Sequence, residues 1–194
     1  GDHLARLMDT LMCEDHRVKF RVKKEKTLDE WERAVKKLFQ VFKKYGKIIG
    51  SKYNNKPKDG SLSMKFGKNF LVTASRIDKT KLEESDLVLV TSIKEPISYQ
   101  GKKLPSSETI LHGKIYDNFP NVLAIIHPHY RKVTNNEKYA KFRTPVFLPY
   151  GTEELADAAV KILKDSKFAI LKDHGEVVTG ENFEEIIEIL ENLK

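Results

Sequence analysis

The stretch SLSMKFGKNFLVTAS, residues 61–75, contains two short apolar segments that are separated by the turn-forming residues Gly67 to Asn69. A third segment of this kind, DLVLVTS, follows at residues 86–92. Short runs of β-branched and aromatic residues between turn formers are typical of β-strands. This part of the chain therefore predicts a β-sheet, with further strands expected in NVLAIIH, KFAILK and EVVTG at residues 121–127, 167–172 and 176–180.

Helical patterns alternate with these strands. Residues 27–46 begin with the capping box TLDE, continue with apolar residues at helical spacing and reach Gly46, a C-terminal stop signal. A second helix is predicted from Ser106 or Ser107 to just before Pro120, and its His112 is predicted to be a packed helix residue. Two more helices are predicted, TEELADAAVKILKDS capped by Thr152 and NFEEIIEILENL capped by Asn182.

The segment KEPISYQGKKLP, residues 94–105, is predicted to be a polar hairpin between strands. Helices and strands intermix along the chain without a repeat or a linker, and 194 residues suit one domain. We therefore expect a single α/β domain over residues 27–194, preceded by an N-terminal extension, residues 1–26, of uncertain structure.

The charge balance restricts the partners. Lys and Arg number 35 against 28 Asp and Glu, a net charge of +7 that favours anionic ligands such as phosphorylated metabolites, nucleic acid or acidic lipid. The lysines are dispersed and form no stripe with aromatic residues, so we expect no nucleic-acid partner. No apolar run approaches the roughly 20 residues of a membrane span, and the first residues lack the order of a signal peptide. With one cysteine, the chain is expected in the cytoplasm.

The segment AIIHPHY, residues 124–130, sets two histidines one residue apart at the end of an apolar run. On a strand, side chains at i and i+2 point to the same face, so His127 and His129 could approach one ion. Neutral imidazole is a common ligand of zinc and similar divalent metals. A capping or hydrogen-bonding role is the alternative that the motif alone leaves open.

Two further residues strengthen the metal hypothesis. His174 also follows an apolar strand, and a catalytic metal commonly has three protein ligands and one open position. Glu108 lies in the first turn of the predicted helix, where it either complements the helix terminus or acts as a carboxylate that moves a proton beside the metal. Gly60, Ser61, Thr73 and Ser75 offer backbone N–H groups and hydroxyls that suit either turns or ligand contacts.

The order of these segments resembles the class II aldolase and adducin family, which includes fuculose-phosphate aldolase and ribulose-phosphate 4-epimerase. The resemblance extends from about residue 30 to the end of the sequence. It is carried by DGSLSMKF, FLVTASRIDK, LEESDLVLV, LPSSETILHGKIYDNFPNVLAIIHPHY, PYGTEELA and ILKDHGEVVTGENFEEIIEILENL.

The resemblance implies a three-layer α/β/α fold with a mostly antiparallel central sheet. It also implies a divalent metal, usually zinc, on His127, His129 and His174, and a catalytic acid/base at Glu108. The family's phosphate-binding loops fall on three pairs of residues, Gly60 with Ser61, Thr73 with Ser75, and Ser106 with Ser107. Such proteins are commonly tetramers with the site at a subunit interface, so a homotetramer is expected.

This sequence departs from the family pattern at three places. Ser61 stands where Asn is common, and Arg76 stands where Gly is common; the arginine could clamp an anion with two hydrogen bonds or fill the pocket. Only residues 175–194 follow His174, whereas the family's aldolases carry a longer tail whose tyrosine protonates a leaving group. Tyr139 is considered as a stand-in for a second family tyrosine. Metal binding is thus better supported than aldol cleavage.

From the resemblance we expect a metal-dependent enzyme that cleaves a small phosphorylated sugar by a reversible aldol reaction through a metal-stabilised enediolate. A sugar-phosphate 4-epimerase and a dehydratase use a similar site and remain alternatives. A non-catalytic interaction protein, like the adducin branch of the family, is the alternative from a different class. The retained histidines and Glu108 speak against it, and the missing tail speaks for it.

Overall fold

The computed structural model describes residues 20–193. Residues 1–19, which form most of the predicted N-terminal extension, and Lys194 lie outside this range. The described strands are β1 Val22–Lys24, β2 Ser61–Phe66, β3 Asn69–Thr73, β4 Leu87–Ser92, β5 Ile97–Gln100, β6 Ala124–His127, β7 Phe168–Leu171 and β8 Gly175–Gly180. The described α-helices are α1 Asp29–Ile48, α2 Thr109–Asn118, α3 Arg131–Thr134, α4 Glu153–Leu163 and α5 Phe183–Asn192.

The eight strands form one sheet in the order β1-β5-β4-β3-β2-β6-β8-β7. Only β1 and β5 are parallel, and every other neighbouring pair is antiparallel. Helices cover both faces, as the resemblance implies: the fold is a three-layer α/β/α domain with a mostly antiparallel central sheet. The sheet begins at Val22, five residues before the domain start expected at residue 27.

The helices pack in pairs through their apolar faces. Phe42 of α1 meets Phe183 of α5 edge to face, with ring centroids 5.3 Å apart. Helices α2 and α4 lie against each other, and Lys114 Nζ contacts Asp157 Oδ1 at 2.8 Å at the exposed margin of that contact. Both predicted N-caps are confirmed, since Thr152 accepts from the N–H of Leu155 and Asn182 from the N–H of Glu185. None of the helices among residues 20–193 has the length and apolar character needed to cross a bilayer.

Helix α1 does not follow its predicted ends. Thr27 accepts from the N–H of Asp29, but Glu30 does not complete a capping box, because its carboxylate accepts a hydrogen bond from the Asn69 side chain. At the other end the helix passes Gly46 and continues as a π-helical turn to Tyr53. The stop is overridden because Gly46 lies against Leu82 and the carbonyl of Lys79, where only a residue without Cβ fits.

The polar hairpin predicted for residues 94–105 is wrong, because strand β5 lies within it. Ile97, Tyr99 and Gln100 are buried, and they pair with β4 on one side or β1 on the other. Helix α2 also begins later than expected, at Thr109. The hydroxyl and carbonyl of Ser106 accept the N–H groups of Glu108 and Thr109, which makes a turn ahead of the helix.

Antiparallel pairing gathers the candidate site at one edge of the sheet. Strand β6 lies between β2 and β8 and is antiparallel to both, so its last residue lies beside the first residues of its neighbours. His127, at the end of β6, pairs with Ser61, at the start of β2. His174 immediately precedes β8. Residues far apart in sequence therefore meet at this edge.

Candidate metal centre and active site

The three predicted histidines form one cluster. Nε2 of His127 lies 3.0 Å from Nε2 of His174 and 3.3 Å from Nε2 of His129. One nitrogen from each ring falls within 4.8 Å of the others, and this is the group of described residues that could hold a metal ion. Tetrahedral zinc, with Zn–N bonds of about 2.0–2.1 Å, separates two nitrogen ligands by about 3.3 Å. The separations of His127 from His174 and from His129 are close to this value.

The protonation state of His127 also suits a ligand. Its Nδ1 lies 2.6 Å from the carbonyl oxygen of Glu176, which can only accept, so Nδ1 carries the proton and Nε2 presents a lone pair to the cluster. Burial, together with the neighbouring His129, lowers the pKa of His127 to about 3. The ring is therefore neutral at physiological pH, as ligation requires.

Two glycines permit the close approach of the chain segments around the cluster. A Cβ on Gly175 would lie 2.6 Å from the carbonyl oxygen of Pro128 and 3.0 Å from the ring of His129. Gly60 has φ 74, in the left-handed region that favours glycine, and a Cβ there would lie 2.1 Å from the carbonyl oxygen of His127. Neither position accommodates a side chain without displacing a histidine-bearing segment.

Glu176 ties the histidine segment to strand β8. Its backbone N–H donates to Pro128, and its carboxylate accepts the backbone N–H of Tyr130 at 2.8 Å and the hydroxyl of Thr134. The side chain is fully buried, and burial raises the pKa of this carboxyl to about 8. No motif in the sequence pointed to Glu176; an acid at the start of an apolar strand was the available signal.

Glu108 is buried at the N-terminus of α2. One oxygen, Oε1, accepts the N–H of Gly151 at 2.9 Å, whereas Oε2 is buried and has no hydrogen-bond partner among the described residues. Burial raises the pKa of Glu108 to about 8, and the hydrogen bond from Gly151 offsets part of that rise. A carboxyl with a pKa near neutrality and one unengaged oxygen is suited to proton transfer.

Most of the predicted site residues border one cavity. Glu108, His127 and His174 lie on it together with six residues that offer backbone N–H groups, hydroxyls or positive charge: Lys58, Gly60, Ser75, Arg76, Ser106 and Ser107. Tyr150 also borders it, with its ring centroid 4.0 Å from that of His174. Tyr150 and Lys58 are site residues that sequence analysis missed; Tyr150 lies in the quoted PYGTEELA segment.

The other predicted residues lie outside this cavity. The Ser61 hydroxyl is buried and 2.7 Å from Nε2 of His112, and the Thr73 hydroxyl accepts the N–H of Leu62. His129 borders a neighbouring cavity. His112 is a fully buried helix residue, as predicted. Tyr139 is buried against Phe168 and does not border the Glu108 cavity.

Arg76, which departs from the family pattern, has an unusual backbone conformation. Its φ is 59, in the left-handed region that non-glycine residues rarely occupy, and the family pattern has glycine there. The side chain is exposed at the cavity. The chain therefore keeps an unfavourable backbone conformation at the position that brings a guanidinium to the candidate site.

Comparison with known proteins identifies the family of the chain. The family profile of the class II aldolase and adducin N-terminal domain matches residues 45–194. The 5-methylthioribulose-1-phosphate/5-deoxyribulose-1-phosphate aldolase of Rhodospirillum rubrum is 26% identical over 151 residues, which cover 70% of this chain and 67% of that protein. A methylthioribulose-1-phosphate dehydratase of Bacillus cereus is 31% identical over 136 residues, 66% of this chain and 61% of that protein.

A solved structure of L-fuculose 1-phosphate aldolase is 26% identical and superposes with a TM-score of 0.68, covering 80% of each chain. The matches to the curated relatives span about two thirds of their lengths or less. The family profile covers more than half of this chain and includes every predicted site residue. The chain belongs to the class II aldolase and adducin family.

Proposed function

We propose that this chain is a divalent-metal-dependent lyase that cleaves a ketose 1-phosphate by a reversible aldol reaction. The observation that carries the proposal is that the buried carboxyl of Glu108 borders the same cavity as His127 and His174. Relatives whose names state that they act on 5-methylthioribulose 1-phosphate, 5-deoxyribulose 1-phosphate and L-fuculose phosphate support the substrate class.

Zinc is the metal that we propose for His127, His129 and His174. The cluster offers three nitrogen donors, and catalytic zinc sites commonly combine three protein ligands with a fourth position for water or substrate. When bound, the ion would supply Lewis-acid polarisation of the carbonyl and hydroxyl oxygens of the substrate. The hydrogen bond from His127 to Glu176 would fix one ligand ring in the orientation that the site needs.

Glu108 is the proposed proton carrier. In the cleavage direction the hydroxyl on carbon 4 of the ketose passes its proton to solvent water and becomes an aldehyde as the bond between carbons 3 and 4 breaks. The electron pair of that bond stays on carbon 3, and Glu108 then delivers a proton to this carbon. Its raised pKa keeps the carboxyl largely protonated near neutral pH, ready to donate. The unengaged Oε2 is the oxygen placed to do so.

The phosphate is proposed to bind at the hydroxyls of Ser75, Ser106 and Ser107, with Arg76 and Lys58 supplying charge. The cavity has a volume of only about 30 Å³. A phosphate therefore enters when the exposed side chains of Arg76 and Lys58 move outward. The hydroxyls of Ser61 and Thr73 are engaged within the fold, by His112 and by the N–H of Leu62, so neither is proposed as a phosphate ligand.

The enzyme is proposed to be a cytoplasmic homotetramer. Val146 and Phe147 are exposed, at 54% and 49% of their surface, in the segment that leads to Tyr150. Apolar side chains exposed beside an active site suit a subunit contact. Sedimentation equilibrium would measure the mass of the assembly, and a monomer at micromolar concentration would contradict the proposal.

Dehydration of a ketose 1-phosphate is the second candidate, favoured by the 31% identity to the Bacillus cereus dehydratase. In that reaction a carboxylate takes the proton from carbon 3 while water leaves from carbon 4. Glu108 would therefore remove a proton from carbon 3, whereas in the aldol cleavage it donates a proton to that carbon. A 4-epimerase and a non-catalytic adducin-like role remain further alternatives, and the buried proton-carrying carboxyl speaks against the last.

The test uses the zinc-loaded chain with ribulose 1-phosphate and L-fuculose 1-phosphate, and products are followed by NMR. We expect glycerone phosphate and an aldehyde, and a fall of roughly 100-fold or more in Glu108→Gln with zinc retained. Glu188→Gln, an exposed glutamate of α5, is the matched control and should keep full activity. Water loss without an aldehyde product would establish the dehydratase instead, and no turnover by either route would overturn both.

A further inference from the structure

We infer that a second cavity, which borders the histidine cluster but not Glu108, binds the hydroxylated end of the substrate that is remote from its phosphate. The inference rests on the proposed function and deepens it, because it states which sugar phosphates the site prefers. This cavity has a volume of about 300 Å³ and is bordered by His129 and His174. Two of the three candidate metal ligands therefore face it.

The two cavities divide the substrate between them. His174 borders both, so a molecule held at the histidine cluster lies next to each cavity. The Glu108 cavity, at about 30 Å³, has room for only one or two water-sized groups before its mouth opens. The larger cavity is the space available for the carbon chain beyond the carbonyl.

Every described residue that borders the larger cavity has a polar or charged side chain. Besides the two histidines, the described residues that border it are Asn55, Arg131, Thr134, Asn135 and Asp173. Ligand pockets are usually lined mainly by apolar side chains, and this one has none among its described lining residues. A thioether or methyl tail would meet no aliphatic or aromatic hydrocarbon side chain there.

The donors and acceptors of this cavity match hydroxyl groups. Arg131 only donates hydrogen bonds, ionised Asp173 only accepts them, and Asn55 and Asn135 do both. A sugar hydroxyl also does both, so it can pair with either charge, and the opposite charges of Arg131 and Asp173 do not select for a charged tail. An apolar tail would displace water from these groups without replacing its hydrogen bonds, which is costly.

Asp173 borders this cavity and has an uncommon backbone conformation. Its φ is 59, so it is one of only two non-glycine residues in the described chain with a positive φ, and Arg76 at the Glu108 cavity is the other. Asp tolerates this region better than most residues, but the conformation remains uncommon. Both cavities thus have a charged residue in a rare conformation beside the histidine cluster, a pattern typical of functional sites.

The test uses three compounds that differ only at carbon 5: ribulose 1-phosphate, 5-deoxyribulose 1-phosphate and 5-methylthioribulose 1-phosphate. Their dissociation constants are measured by calorimetry with the zinc-loaded Glu108→Gln chain, which should bind without turnover. We expect the 5-hydroxyl compound to bind about 10-fold more tightly than the other two, the ratio expected for one well-placed hydrogen bond. Equal affinities, or tighter binding of the methylthio compound, would overturn the inference.

Variants of residues that border the second cavity test whether this cavity is the source of the preference for the 5-hydroxyl. Arg131→Leu and Asn135→Leu change exposed side chains, so the fold should survive, and each should reduce the preference for the 5-hydroxyl several-fold. Lys132→Leu, an exposed neighbour that does not border the cavity, should leave it unchanged. A preference that survives both cavity variants would contradict the assignment. If none of the three compounds binds, the proposed function falls as well, whereas equal binding of all three overturns only this inference.

Discussion

The carbonyl oxygen of Glu176 lies 2.6 Å from Nδ1 of His127, and the carboxylate of the same residue accepts the backbone N–H of Tyr130. One residue thus fixes the tautomer of a candidate ligand and the path of the chain that carries the next one, His129. Such partners of metal ligands commonly control the affinity of a site as strongly as its geometry does.

Removing the Glu176 side chain should therefore weaken zinc binding. We expect Glu176→Ala to raise the zinc dissociation constant about 10- to 100-fold, because the segment from Pro128 to Thr134 loses its anchor. Glu176→Gln keeps an acceptor for Tyr130 and should stay within a few-fold of the original chain. Competition with a chromophoric chelator measures the zinc affinity of both variants. Equal zinc affinities of Glu176→Ala and Glu176→Gln would refute the anchoring role of the carboxyl.

The histidine cluster itself makes a direct prediction. The purified chain should contain about one zinc per chain, and His127→Ala should contain almost none, because two imidazoles alone hold the ion poorly. The cobalt-substituted chain should show the visible absorption of a tetrahedral site, and His127→Ala should lose it. Metal content that is unchanged in His127→Ala would eliminate this site.

Gly175 should resist substitution for a steric reason. In Gly175→Ala the new Cβ meets the carbonyl oxygen of Pro128 and the ring of His129, so we expect a loss of about 1–3 kcal/mol in the free energy of unfolding and weaker zinc binding. Gly67→Ala is the matched control: its φ is 61 but nothing lies within 4 Å of the added Cβ. It should lose about 1 kcal/mol and keep its zinc affinity. Similar zinc affinities in the two variants would contradict the steric argument.

Arg76 should contribute to phosphate binding. Arg76→Gly suits the φ of 59 and removes the guanidinium, so the fold should be retained while the KM for the ketose phosphate rises about 10-fold. Arg76→Lys keeps the charge but not the paired hydrogen bonds. Its KM should lie between those of the original chain and Arg76→Gly. An unchanged or lower KM in Arg76→Gly would indicate that the arginine fills the pocket instead.

The pH dependence of stability should report on His112. Burial, reinforced by the neighbouring His127, lowers the pKa of His112 to about 3, whereas an unfolded histidine titrates near 6.5. Between these values the unfolded chain binds a proton that the folded chain does not, so the free energy of unfolding rises with pH, by up to about 1.4 kcal/mol per unit.

His112→Gln removes this contribution, because glutamine does not titrate. Urea unfolding of the zinc-free chain at several pH values between about 4 and 6.5 should show a shallower rise for the variant. Its stability at neutral pH should be lower, because the contacts of the ring with Ser61 and Ser63 are changed. The same slope in both chains would show that His112 does not have the lowered pKa.

The sequence by itself determined the features that depend on neighbouring residues. The strands rich in apolar residues, the N-caps at Thr152 and Asn182, and the position of His127 at the end of a strand can all be read from short segments. Their physical basis is local, since strand alternation and capping involve residues only a few positions apart. His129 lies two residues beyond that strand and not on it, contrary to the prediction from strand alternation. The order of the motifs along the chain also indicated the family, and it supported Glu108 and His174 as candidate site residues.

Tertiary structure alone decided the features that depend on distant partners. Strand β5 exists because β1 and β4 pair with it, and helix α1 passes Gly46 because Leu82 packs there. The anchoring role of Glu176, the engagement of the Ser61 hydroxyl by His112 and the polar second cavity likewise arise from residues dozens of positions apart. No short segment encodes such contacts, because each depends on where the sheet brings another part of the chain.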